Sequence, residues 1–131
     1  MKLVDTSVWV EFLRRAGDPQ AKRAVARLME DGLTAYTCPI RFELLSGVRP
    51  AEEGDLQQAL GFSQHILFEP DDWREAAALE RVLRKQGVKI PRNDLFVATV
   101  AIRTGLALLC RDAHFNSLAK VLGSRLTVDQ I

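Results

Sequence analysis

Short apolar runs alternate along this chain with longer stretches whose apolar residues recur every three or four positions, the pattern of strands joined by helices around a parallel sheet. Lys2-Leu3-Val4 reads as a strand ending at Asp5, and Thr6 or Ser7 can cap a helix with Val8, Trp9, Phe12 and Leu13 on one face. After the break at Gly17-Asp18-Pro19, the spacing of Ala21, Val25, Leu28 and Met29 predicts a helix from Gln20 to Glu30, closed by Gly32. Thr34 to Cys38 reads as the second strand. Pro39 opens a helix at the position where its fixed φ is preorganised; Phe42, Glu43, Leu44 and Leu45 follow, and Ser46-Gly47 and Pro50 end it.

Residues 52–64 predict another helix, His65 to Phe68 a third strand, and Pro70 to Gln86 a long amphipathic helix closed by Gly87. Pro91-Arg92-Asn93-Asp94 starts a helix whose run from Leu95 to Ile102 is apolar nearly all round, which predicts burial on most sides. Gly105 stops it, Leu106 to Cys110 reads as a buried strand, Asp112 onward begins a last helix, and a terminal strand falls near Leu126-Thr127-Val128. The expected fold is a three-layer α/β/α sandwich with a small, mainly parallel sheet, in one domain over residues 1–131.

Composition narrows the function classes. An apolar share of 47% and a charged share of 27% exclude a disordered or collagen-like chain. The net charge of +1 supplies no global basic field, so any contact with nucleic acid must come from local patches. The longest stretch free of charged side chains, Leu56 to Phe68, is too short and too polar to span a membrane, and Asp5 sits where the apolar core of a secretory signal would lie. A cytoplasmic location with no membrane partner is therefore expected. Cys38 and Cys110 each lie in an apolar run far from the other, which reads as a pair of reduced core thiols.

In a sheet of this kind ligands gather at the carboxyl ends of the strands, where the strand order reverses. Asp5 ends the first strand and Asp112 follows the buried strand up to Cys110; if those strands are neighbours, the two carboxylates face one cleft. Asp94 at a helix start and Glu43 in the first turns of another can point to the same edge. Four converging carboxylates repel one another unless a cation neutralises them. A site of oxygen donors without thiol or imidazole selects a hard ion, Mg²⁺ or Mn²⁺, over Zn²⁺, and such an ion suits attack on a phosphate. Taken singly, each acid reads equally as a helix cap or a surface charge.

Leu3-Val4-Asp5-Thr6-Ser7-Val8-Trp9, Arg41-Phe42-Glu43-Leu44-Leu45-Ser46-Gly47, Asp94-Leu95-Phe96-Val97-Ala98-Thr99-Val100-Ala101 and Cys110-Arg111-Asp112-Ala113-His114-Phe115 resemble, in this order, the motifs of the PIN-domain nucleases, and within them the VapC-type toxins of bacterial toxin–antitoxin pairs. The resemblance extends from Met1 to the terminal strand. It implies a Mg²⁺-dependent endoribonuclease in which Asp5, Glu43, Asp94 and Asp112 form the catalytic quartet, Asp5, Asp94 and Asp112 hold the metal, and Ser7 sits near the metal or the phosphate. It also implies a cognate antitoxin that silences the cleft, and a homodimer. The family commonly has Thr where this chain has Cys110, which implies weaker hydrogen bonding around Asp112.

Arg81, Arg84, Lys85, Lys89 and Arg92 form a stretch without an intervening acid, a candidate contact for RNA phosphates or else a solvated face. Arg14, Arg15, Lys22, Arg23 and Arg27 form a second such stretch around Asp18. For His65 and His114 the structural reading is favoured over general-base catalysis, His114 because positions two apart on a helix do not share a face with Asp112. Trp9 and Trp73 read as packing residues, with base stacking open for Trp9. Three rival readings remain: a DNA-cutting nuclease of the same fold, a non-catalytic nucleic-acid-binding module, and a phosphoacceptor domain. The last would want a lysine after the final core strand, where Arg111-Asp112 stands.

Overall fold

The computed structural model describes residues 1–131. Strands β1 (Lys2–Val4), β2 (Thr34–Thr37), β3 (Gln64–Ile66), β4 (Ala107–Cys110) and β5 (Val128–Gln130) alternate with helices α1 (Thr6–Leu13), α2 (Pro19–Glu30), α3 (Cys38–Gly47), α4 (Glu53–Gly61), α5 (Pro70–Lys85), α6 (Arg92–Thr104) and α7 (His114–Leu122). All four strand pairings are parallel, in the order β3-β2-β1-β4-β5. Parallel neighbours require crossover connections, and these lay helices on both faces of the sheet, the three-layer arrangement expected from the alternation.

β1 is the middle strand. The chain leaves it toward β2 and β3 on one side and returns to β4 and β5 on the other, so strand order reverses between β1 and β4. There Lys2, Leu3 and Val4 stand opposite Ala107, Leu108 and Leu109, and the ladder runs one step further as Asp5 N–H donates to Leu109 C=O at 2.9 Å. Asp5 is thereby carried to the carboxyl edge at the reversal.

The core combines Leu3, Val4, Leu108 and Leu109 from the two central strands with Val8 and Trp9 of α1 and the α6 residues Val97, Ala98, Val100 and Ala101. Burial of α6 on so many sides is what its continuous apolar run predicts. Gly17, between α1 and α2, is required by close approach: a Cβ there would lie 1.8 Å from the Glu11 carbonyl oxygen. That contact brings Asp18 N–H to Glu11 Oε2 at 3.0 Å and fixes Asp18 as the cap of α2.

Several boundaries differ from the sequence expectation. Cys38 is the first residue of α3 and not the end of β2, because Pro39 at the second helical position draws the preceding residue into the first turn. Its thiol is half-buried and accepts from Phe68 N–H at 3.4 Å, so it is less a core residue than expected. β3 and β5 are displaced by one or two residues, since pairing with β2 and β4 sets their register and their own apolar runs do not. The helix placed at 52–64 is a short 3₁₀ turn, Pro50–Glu52, followed by α4, and α7 begins at His114, two residues later than expected.

Candidate active site

Asp5 is 4% exposed and caps α1, with Oδ2 accepting from Ser7 N–H at 3.1 Å and from the Ser7 hydroxyl at 2.6 Å. The cap reading open for any single acid thus describes Asp5, yet its burial is unusual for a cap. Burial raises its carboxyl above the ordinary range; the Ser7 hydrogen bonds oppose that rise and the charge of Glu43 adds to it. Glu43 lies in α3, held by the Thr6 hydroxyl, which donates to its Oε1 at 3.0 Å.

Asp94 stands in the first turn of α6. Only Gly105 and Leu106 separate the end of that helix from the start of β4, so its first turn sits at the carboxyl edge of the sheet. Its carboxyl is pushed up to about 6, chiefly by burial and then by the charges of Asp5 and Asp112, against the hydrogen bond from His114. Asp112, in the loop after β4, accepts at Oδ1 from His114 N–H at 2.9 Å. The fold therefore brings all four acids to one edge, with Asp5 coupled by charge to Glu43 and to Asp94.

The tightest donor set differs from the one expected. Asp94, Asp112 and His114 offer ligand atoms all within 4.8 Å of one another, whereas Asp5 stands outside this triad on its Ser7 hydrogen bonds. His114 Nδ1 lies 2.9 Å from Asp94 Oδ2 and 3.0 Å from Asp112 Oδ1. The structure brings His114 to Asp112 and Asp94, whereas the sequence reading set it apart from Asp112. Asp112 is not on the helix, so the rule that residues two apart point to different faces does not govern the pair. The available signal was the Asp-x-His spacing across a helix start.

Ser7 serves Asp5 directly. Its hydroxyl donates to Asp5 and accepts from Arg111 N–H at 3.1 Å, which ties the start of α1 to the loop carrying Asp112. The Arg111 guanidinium meets Asp18 Oδ2 at 3.0 Å, outside the acid cluster. At the family's threonine position, the Cys110 thiol makes one weak contact, 3.9 Å to the Asp112 carbonyl. Burial, reinforced by the charges of Asp5, Asp112, Asp129 and Asp94, pushes this thiol up to about 12, so it stays protonated.

The remaining candidates separate. His65 stacks on Tyr36 with ring centroids 4.6 Å apart and faces Cys38 Sγ at 3.5 Å; burial, then the charge of Arg41, lowers its imidazole below the ordinary value. Trp9 is fully buried, which excludes base stacking. In the basic stretch from Arg81 to Arg92, tertiary structure supplies the missing acid: Glu80 pairs with Arg84 at 3.9 Å and with Arg92 at 3.3 Å. Arg81, Lys85 and Lys89 are exposed and make no ion pair.

Residues 2–121 match the PIN domain family. Ribonuclease VapC11 of Mycobacterium tuberculosis is 33% identical over 125 residues, spanning 92% of this chain and 93% of the relative; ribonuclease VapC19 of the same organism is 34% identical over 117 residues, 88% and 92%. Among solved structures, VapBC2 from Rickettsia felis bound to a promoter DNA fragment superposes with a TM-score of 0.81 at 18% identity, over 99% of this chain and 98% of that one. FitAcB from Neisseria gonorrhoeae does so at 0.77 and 19%, over 98% and 96%. At such identities these two establish the fold alone. With its family match over nearly the whole length and relatives a third identical across nine-tenths of it, the chain belongs to the PIN domain family, among its VapC members.

Proposed function

We propose that this protein is a metal-dependent endoribonuclease acting as the toxin of a toxin–antitoxin pair. The observation that carries this reading is the gathering of Asp5, Glu43, Asp94 and Asp112 at the switch point of the sheet. It occurs in a chain a third identical to curated VapC ribonucleases. The residues fit a divalent cation, Mg²⁺ or in its place Mn²⁺: clustered carboxylates, two of them raised by burial and mutual charge, are the donors a hard ion takes. Asp5, Asp94 and Asp112 hold that cation, and Glu43 completes the acidic quartet. When bound, the cation supplies charge neutralisation and Lewis acidity toward a phosphate oxygen.

The chain's own residues prepare that chemistry. Ser7 and the α1 N-terminus orient Asp5, Thr6 orients Glu43, and the Ser7 bond to Arg111 N–H fixes the loop bearing Asp112 relative to Asp5. Arg81, Lys85 and Lys89, with Arg84 and Arg92 shared with Glu80, lie near the α5–α6 turn that leads into Asp94 and supply phosphate contacts.

An antitoxin partner is supported by solved neighbours of the same fold, among them a toxin–antitoxin complex from Klebsiella pneumoniae. Apart from the segment that crosses the acid cleft, that partner docks in a groove among α1, α2 and α4, about 710 Å³ in volume, where Phe12, Leu13, Met29 and Phe62 are joined by Arg15, Lys22, Glu52 and Asp55. A homodimer is supported by an exposed aromatic face on which Trp73 packs edge-on against Phe68 and Phe96 beside Phe42. Trp73 and Phe42 are 60% and 68% exposed. No helix is long and apolar enough to cross a membrane. A cytoplasmic location goes with the proposed RNA substrate.

The test is incubation of the purified protein with total RNA, with and without Mg²⁺, followed by mapping of new 5′ ends. Defined new ends that require the metal are expected. RNA left intact in Mg²⁺ and in Mn²⁺ by folded protein overturns the reading.

A further inference from the structure

Carboxylates alone offer a divalent ion only oxygen, and the structure places an imidazole among them. We propose that His114 is a nitrogen ligand of the divalent cation, alongside Asp94 and Asp112, and that it shifts the site's preference from Mg²⁺ toward Mn²⁺ and the later first-row ions. This rests on the metal-dependent reading above and concerns one residue of it.

Two adjacent ligands of an octahedral ion with bonds of about 2.1 Å stand about 3.0 Å apart. His114 Nδ1 stands 2.9 Å from Asp94 Oδ2 and 3.0 Å from Asp112 Oδ1. The ring is already one ligand spacing from each of two carboxylates, and an ion bound there takes the place of the proton that Nδ1 shares with Asp94.

The three donors come from the first turn of α6, the loop after β4 and the first residue of α7. The triad is thus assembled by the fold and is not a local run of acids. Asp112 is oriented by the same residue, since His114 N–H donates to its Oδ1. A core-packing role does not account for the ring, whose side chain is 46% exposed and whose polar partners are the two carboxylates.

Chemistry sets the consequence. Mg²⁺ favours oxygen and water, whereas imidazole suits the transition ions, whose affinity for mixed nitrogen and oxygen donors rises along the first row. Replacing one oxygen donor by nitrogen therefore favours Mn²⁺ over Mg²⁺.

The experiment adds Mn²⁺ or Mg²⁺ to chelator-stripped full-length protein and reads calorimetric titration together with pulsed electron paramagnetic resonance of bound Mn²⁺. Coupling to one ¹⁴N nucleus is expected in the parent and should vanish in His114→Gln, where the Mn²⁺ Kd should weaken by about 10-fold or more and the Mg²⁺ Kd by far less. His114→Asp keeps a ligand without nitrogen; it should bind Mn²⁺ with no coupling and a preference moved toward Mg²⁺. Parent protein that binds Mn²⁺ with no ¹⁴N coupling, or with the same Kd as His114→Gln, overturns the assignment of His114 and leaves the carboxylate site standing. Failure of the parent to bind either ion removes both.

Discussion

The Ser7 hydroxyl donates to Asp5 Oδ2 at 2.6 Å, and this contact fixes the most buried acid of the cluster. Because the Ser7 hydroxyl oxygen itself accepts from Arg111 N–H, Ser7 joins the ends of the two central strands on which Asp5 and Asp112 depend.

Ser7→Ala removes that bridge and leaves Arg111 N–H without its partner. A loss of about 1–3 kcal/mol in denaturant unfolding is expected. Cleavage should fall by about 10- to 100-fold, because Asp5 loses its shortest hydrogen bond. Parent-like activity and stability would show that the bridge positions nothing.

Asp5→Asn and Asp94→Asn each remove a carboxylate charge while keeping its shape. Cleavage should drop by more than the ~100-fold typical of losing a supporting contact, with circular dichroism unchanged. A loss of only a few-fold would remove that residue from the metal's ligands.

Metal-free stability should fall as pH rises from about 4 to about 6. The Asp94 carboxyl is pushed up to about 6 in the folded chain from an ordinary value of 3.8, so the folded state holds its proton longer than the unfolded state. Its stabilisation is complete below pH 4 and is lost through pH 6. Allowing for screening of this partly exposed group, the loss is about 2 kcal/mol. In chelator at pH 7 Asp94→Asn should therefore melt above the parent, and Mg²⁺ should raise the parent's Tm more than the variant's. Melting curves that coincide with and without Mg²⁺ would mean the acids do not share a site.

Salt dependence separates the cations of the basic stretch. Replacing Lys85 and Lys89 by Ala should weaken RNA binding for every sequence and flatten the log Kd against log salt slope by roughly 0.7 per lost contact. Arg84 and Arg92 are shared with Glu80 and should change it less. An unchanged slope for the lysine pair would make them solvated face residues.

Expression of the free chain should arrest growth, and co-expression of a cognate antitoxin should relieve it. Phe62→Glu, in the groove among α1, α2 and α4, should keep the arrest and weaken the relief. Normal growth with active enzyme present would remove the toxin role and leave the nuclease one.

Local order in the sequence determined the alternation of strands and helices, because periodicities of two and 3.6 residues and the Pro and Gly boundaries are properties of neighbouring residues. It placed Asp5 at a strand end, Asp94 at a helix start and α6 in the core. The pairing of β1 with β4 is another kind of fact. More than a hundred residues separate Lys2 from Ala107, and nothing local chooses which strand lies beside which. Only that pairing sets Asp5 near Asp94 and Asp112, raises the carboxyls of Asp5 and Asp94 through burial and shared charge, and closes the Ser7 bridge to Arg111. The same holds for His114 and for Glu80: an imidazole that read as structural enters the acid cluster, and an acid just outside a basic run neutralises part of it. Both result from contacts across elements, which the order of residues along the chain does not contain.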